Sequence, residues 1–222
     1  MKREIEITSD GSSTIHLPDW NENYHSTHGA IQEAKHVFIA KGLAAISLPE
    51  ISILEIGFGT GLNCFITFLE SQEKQKSINY IGVEAFPVTK EEVSKLNYVS
   101  ELKAAKQQSV FEQIHTSTWE EKHQISANFW LTKRKQFFND ITDISQYDLV
   151  YFDAFGAEHQ PELWTVDIFK KMYTSLKVNG ILVTYSAKGS VRRAMLEVGF
   201  KVERIDGPPG KREMLRATKH TA

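Results

Sequence analysis

The chain has 222 residues, 41% of them hydrophobic and 24% charged, which is enough apolar material for one large α/β core and excludes a disordered chain. A single cysteine, Cys64, excludes internal disulfides and a cysteine-based metal centre, and no apolar run is long enough to cross a bilayer. The net charge of −2 hides an asymmetry: residues 186–219 carry nine Lys and Arg against four Asp and Glu, so this end is +5 and the rest −7. That pattern suits a polyanion gripped at one place, and equally a solvated helix face.

The N-terminus, Met1-Lys2-Arg3-Glu4, leads into alternating charged and apolar residues rather than a signal peptide, so a cytoplasmic setting without membrane contact is expected. Ile5 and Ile7, then Asp10-Gly11, then Ile15 and Leu17 read as a β-hairpin. After a turn at Pro18-Asp19, Ala34, Val37, Phe38 and Leu43 mark a helix, with Gln32, Glu33, Lys35 and His36 on its solvent or ligand side. His25 and His28 are ligand types without a third partner at metal spacing, so no metal is expected. Residues 1–48 form an N-terminal hairpin and helix extension in this reading, and residues 49–222 the main domain.

Residues 51–56 are mostly apolar, with β-branched Ile51, Ile53 and Ile56. They run into Gly57-Phe58-Gly59-Thr60-Gly61, and apolar residues at helical spacing follow to about residue 71, a strand, glycine turn and helix. The helix buries Cys64 as a small apolar residue. A strand over 78–84 follows, then a helical region opened by Pro87 and reaching about residue 102. A helix is expected over 104–114, within a stretch of weak signals. Residues 128–132 and 147–153 read as strands. Thr165 caps a helix through Ile168, Phe169, Met172 and Leu176 that Asn179-Gly180 ends. A strand over 181–186, a helix over 190–199 stopped by Gly199, a strand over 200–205, a turn at Gly207-Pro208-Pro209-Gly210 and a strand over 213–217 complete the chain. Strands alternating with helices make a mostly parallel sheet, and the short last turn permits only an antiparallel neighbour. This is the class I methyltransferase architecture, a Rossmann-like α/β fold.

Ligands in such sheets bind outside the carboxyl ends of the strands. Glu55, Glu84 and Asp153 all stand at such ends. The G-x-G-x-G spacing is not the G-x-G-x-x-G of dinucleotide folds. A carboxylate beside the turn suits a cationic ligand better than a phosphate, and Glu84, 29 residues after Glu55, is placed to accept from a ribose diol. Together these favour S-adenosyl-L-methionine, with Glu55, Gly57, Phe58, Gly59, Gly61, Asn63, Glu84, Asp153 and Ala154 as the expected cofactor contacts. A structural glycine turn with solvated strand ends is the alternative.

The chain resembles the MnmC-like (MnmD) tRNA methyltransferases. The matching pieces are Tyr24-His25-Ser26 with Glu33 and His36-Val37-Phe38, the glycine turn, Asp153-Ala154-Phe155 followed by Pro161-Glu162-Leu163-Trp164, Val191-Arg192-Arg193, Gly199-Phe200, and Gly210-Lys211-Arg212-Glu213-Met214. They span nearly the whole chain in order. The resemblance implies methylation of the aminomethyl group of 5-aminomethyl-(2-thio)uridine at the tRNA wobble position. It implies the methyl-transfer half alone, with no FAD domain on this chain, and an anticodon stem-loop as partner. A monomer is the default expectation, although no residue pattern derives it.

Under that reading Asp153 is the catalytic group, orienting the amine or taking its proton. Tyr24, Phe155 and Trp164 wall an extruded uracil. Lys188, Arg192, Arg193, Lys211 and Arg212 face anticodon-loop phosphates, with Glu213 paired to one of them. Where many such enzymes place an adenine-contacting acid, this chain has Lys133-Arg134-Lys135, leaving Asn139-Asp140 or the main chain to contact adenine. Two rivals are methylation of a protein or small amine by the same fold, and a non-catalytic cofactor-binding partner in tRNA modification.

Overall fold

The computed structural model describes residues 2–220. A small antiparallel sheet, β1 (Glu4–Ile7), β2 (Ser13–Leu17) and β3 (Glu22–Asn23), precedes α1 (Ala30–Ala34). The helix continues from Lys35 to Ala40 as a π-helix, and Lys41 N closes on His36 O. The core is an eight-stranded sheet of β4 (Glu50–Ile56), β5 (Ser77–Val83), β6 (Lys122–Ser126), β7 (Phe129–Arg134), β8 (Tyr147–Phe152), β9 (Leu176–Thr184), β10 (Lys201–Asp206) and β11 (Glu213–Thr218). Its order is β10-β11-β9-β8-β4-β5-β7-β6.

The strands β9, β8, β4, β5 and β7 run parallel. The reversed C-terminal strand is present, but β11 enters between β9 and β10 rather than closing the edge. A second antiparallel strand, β6, lies at the other edge, inside the stretch of weak sequence signals. Its residues Lys122–Ser126 are mostly polar because an edge strand buries little.

Side-chain alternation divides the core into two layers. On one face Ile51, Ile53, Leu149 and Tyr151 pack against the N-terminal helix, α2 (Leu62–Glu73) and α5 (Gln108–Thr116). On the other, Leu54, Ile56, Val150 and Phe152 pack against α6 (Val166–Ser175) and α7 (Gly189–Val198). Full burial of such a side chain is worth about 1.5–3 kcal/mol over exposure. At four residues each, α3 (Lys90–Val93) and α4 (Tyr98–Glu101) are far too short to stand alone; burial of Tyr98 and Val99 holds α4, whereas α3 buries no residue fully and is held by its cap, the partly buried Val93 and the Arg3–Glu92 pair. These two short helices replace the single helical region expected after Pro87. The Thr89 capping box fixes the start of the first.

Asn179-Gly180 does not end a helix. The helix α6 stops at Ser175, the chain enters β9 at once, and Asn179 at φ 64° forms an irregularity within that strand. Elsewhere Gly199, at φ 107°, ends α7 as expected.

Candidate active site

The glycine turn is built from the ends of three strands. Gly57 N and Phe58 N both donate to Val83 O at 3.0 Å, and Asp153 N donates to Ile56 O at 2.9 Å. Gly57 has φ 87°, and a Cβ there would lie 2.4 Å from Asp153 O. Gly59, at φ 46°, passes under the Tyr24 ring, to which a Cβ would approach within 3.2 Å. Both positions need glycine for conformation and for room. Gly61, at φ 69°, starts α2.

Over this turn lies a cleft of about 1320 Å³, at the carboxyl ends of the parallel strands. Gly57, Phe58, Gly59, Asn63, Glu84, Asp153 and Ala154 line it. The extension contributes Tyr24 and Glu33, and the β10–β11 turn contributes Lys211. Gly61 does not line the cleft.

Glu55 is displaced from its expected place. At an odd position of β4 it shares the face of Ile51 and Ile53, so it points into the core and is fully buried. Tyr80 OH donates to it at 2.8 Å and Asn63 Nδ2 at 2.9 Å. Burial pushes its carboxyl well above the usual range. Asn63 Nδ2 also donates to Asp153 Oδ2 at 2.8 Å, so one amide ties the buried carboxyl to the one in the cleft. Asn63 Oδ1 is buried and has no partner among the described residues.

Asp153 is pushed up to about 7, first by burial and then by the charge of Glu33, with Asn63 and Lys211 opposing. Glu84 is spoken for in part: one oxygen accepts from Gly59 N at 3.0 Å and the other from Phe86 N at 2.9 Å. A carboxylate has further lone pairs toward the cleft.

The far wall is aromatic. Tyr24 and Phe155 meet edge to face at 5.0 Å, and Trp20 meets Phe155 at 5.7 Å while stacking on His159. Trp164 is not part of this wall. It is 6% exposed, packs on Phe152, and donates Nε1–H to Phe155 O at 2.7 Å, so it fixes the loop that carries Phe155. The Trp20 contribution has no motif signal in the sequence, because it depends on how the small sheet docks.

Docking has visible causes. Asn97 accepts from Ser13 N and donates to Gly11 O, while Arg3 donates to Phe86 O and pairs with Glu92. His25 bridges Thr14 and Thr60 Oγ1, and burial lowers it to about 4, keeping it neutral. Among the described residues no three His, Cys, Asp or Glu side chains gather as a metal site needs.

Beyond Glu84 the cleft is lined by Phe86, Phe137, Phe138 and Asn139, and Asp140 stays outside it. Phe86 and Phe137 are 62% and 60% exposed and pack edge to face at 6.0 Å. Two exposed phenylalanines in polar loops were the available signal in the sequence. Lys133 turns the other way: it is buried, donates to His115 O at 2.9 Å and lies over Trp119.

The basic residues separate. Lys211 Nζ donates to Glu33 Oε1 at 2.8 Å inside the cleft. Lys188 pairs with Glu158, and Glu213 pairs with Arg204 rather than with any of the expected five. Arg192, Arg193 and Arg212 lie outside the cleft, on α7 and the last turn.

Residues 97–220 match a family described as S-adenosyl-L-methionine-dependent methyltransferase. The chain belongs to this family. The MnmC of Acidovorax sp., named a tRNA 5-methylaminomethyl-2-thiouridine biosynthesis bifunctional protein, is 26% identical over 98% of this chain and 35% of its own length. That of Burkholderia multivorans is 28% identical over 95% and 34%. This methyltransferase chain therefore spans about a third of the length of the curated relatives it matches. MnmC2 from Aquifex aeolicus superposes with a TM-score of 0.77 at 26% identity, covering 100% of this chain and 72% of that one. Both comparisons carry the MnmC name that the motifs suggested. A spermidine synthase from Thermotoga maritima, at 14% identity and a TM-score of 0.54 over 100% and 73% of the two chains, shares the methyltransferase fold.

Proposed function

We propose that this chain transfers the methyl group of S-adenosyl-L-methionine to the exocyclic amine of 5-aminomethyl-(2-thio)uridine at the tRNA wobble position. The supporting observation is Asp153: a carboxyl raised toward neutrality, half-buried beside the glycine turn, in a cleft with an aromatic wall. The names of the MnmC relatives support the RNA substrate.

The cleft fits the cofactor. The bare main chain at Gly57 and Gly59 leaves room for it, and the unpartnered Asn63 Oδ1 offers an acceptor for its ammonium group. Glu84 takes the ribose hydroxyls, and Phe86, Phe137 and Asn139 flank the adenine. When bound, the cofactor supplies an electrophilic methyl on a sulfonium. Asp153 orients the amine, accepts one of its protons and stabilises the charge that grows on nitrogen. Tyr24, Phe155 and Trp20 hold the uracil so that the nitrogen approaches in line. Residues 49–222 carry the donor site in this reading, and residues 1–48 complete the acceptor side through Tyr24 and Trp20. Arg192, Arg193 and Arg212 are the cations left to meet RNA phosphates.

Nucleoside mass analysis of undermodified tRNA incubated with protein and cofactor tests the reading. A gain of one methyl on the wobble aminomethyluridine is expected, and its absence ends the proposal. Labelling of cell protein instead would favour the protein-directed alternative.

A further inference from the structure

Lys211 reaches the cleft from the turn between β10 and β11. The turn is tight: Lys211 N donates to Pro208 O at 2.9 Å, and a Cβ on Gly207 would lie 2.5 Å from Lys211 O. Its ammonium sits 2.8 Å from Glu33 Oε1 and 4.0 Å from the centre of the Tyr185 ring. Glu33 is 9% exposed on α1, and its other oxygen accepts from Ser26 N at 2.9 Å. Tyr185 is fixed in turn, donating to Ala154 O at 2.8 Å. Asp153, Glu33, Tyr185 and Lys211 line one cleft. The other titratable groups around the lysine are His28, which packs on Gly210, and Asp206 and Arg212 on its own turn; His36 bonds the Asp206 carbonyl.

Lys211 is itself exposed, but the buried carboxylate it pairs with already compensates its charge, which leaves little for a phosphate. Its charge acts elsewhere. Two carboxylates facing an amine stabilise its ammonium, which has no lone pair to give. We propose that Lys211 neutralises Glu33 so that the incoming amine meets one carboxylate, Asp153, instead of two, and is not trapped as its ammonium. The inference rests on the amine-methyltransferase reading of the cleft. In the transfer step the bound ammonium gives a proton to the Asp153 carboxylate. The freed lone pair forms the N–C bond as the C–S bond breaks and its electron pair stays on sulfur. The product is a secondary ammonium, and both it and Asp153 return their protons to solvent.

Single-turnover methylation of tRNA bearing wobble 5-aminomethyluridine, followed from about pH 6 to 10, is the test. Lys211→Met is expected to move the acid limb up by about one pH unit, a roughly tenfold loss near neutrality that recovers in alkali. Glu33→Gln moves the limb down, because it leaves the lysine charge uncompensated. The double variant returns it near its starting place, and Lys211→Arg leaves it there. Filter binding of tRNA and calorimetry of the cofactor stay within about twofold, since neither contact is removed. The double variant removes both members of the ion pair and strands neither charge, so it remains informative if Lys211→Met folds poorly. Equal losses at every pH, or both single variants shifting the limb the same way, overturn the inference. So does weakened tRNA binding with an unmoved limb, which returns Lys211 to a phosphate contact. Wild-type protein that methylates no tRNA at any pH overturns the functional reading itself, and the inference with it.

Discussion

Asn63 and Asp153, ninety residues apart in the chain, are joined by a hydrogen bond of 2.8 Å from Nδ2 to Oδ2, and the same amide nitrogen holds the buried Glu55 at 2.9 Å. A helix that starts at the glycine turn thereby aims the carboxyl that ends β8. Replacing Asn63 by Leu leaves Glu55 and Asp153 each short of a donor. We expect a loss of about 1–3 kcal/mol in stability, read by denaturant unfolding, together with weakened cofactor binding in calorimetry. Wild-type values for both would detach Asn63 from the site.

Asp153→Ala is expected to lower the methylation rate by about 10² to 10⁴ while cofactor binding persists, because the group acts on the amine and not on the donor. Quench-flow rates and calorimetry on the same preparation separate the two. Normal turnover would remove Asp153 from the chemistry.

Stability and pH are linked through the same side chain. Its folded value, about 7, lies above the ordinary 3.8, so the folded protein binds a proton more tightly than the unfolded one. Its contribution is complete below about pH 4 and is lost as the pH rises toward 7. The shift sets a ceiling of about 4 kcal/mol, which solvent in the cleft reduces. Asp153→Asn is therefore expected to unfold at a higher temperature than wild type at pH 8, with the gap closing by pH 4. A gap independent of pH would contradict the linkage.

Gly57→Ala places a Cβ 2.4 Å from Asp153 O, at a φ of 87°. Relief requires separating β4 from β8 where they carry the site. A cost of about 1–3 kcal/mol is expected, with loss of cofactor binding before loss of fold. Thermal shift with and without cofactor reads both.

Phe86→Ala with Phe137→Ala removes the exposed aromatic pair beyond Glu84. We expect the cofactor KM to rise about tenfold with kcat little changed, as for a contact equal in ground and transition states. A fall in kcat alone would place these rings on the RNA side instead.

Much of this protein was legible one element at a time. The alternation of strands and helices, the glycine turn, the acids at three strand ends and the helix stop at Gly199 are local signals, each carried by a few adjacent residues. So was the family, through blocks around Asp153 and Lys211. What failed was position across the sheet. Glu55 reads as a ligand carboxylate because it is near the turn, yet side chains alternate by two, and its register with Ile51 and Ile53 sends it into the core. Trp164 reads as a wall and serves as a buried prop for Phe155. Lys211 reads as an RNA contact and closes on Glu33, 178 residues away. The sequence by itself determined which backbone elements form and which chemistry is present, because propensity, turn geometry and residue type act over short spans. Only the tertiary structure decided which carboxylate faces the cleft, which is buried and which is neutralised, because burial and ion pairing depend on groups that the chain brings together from far apart.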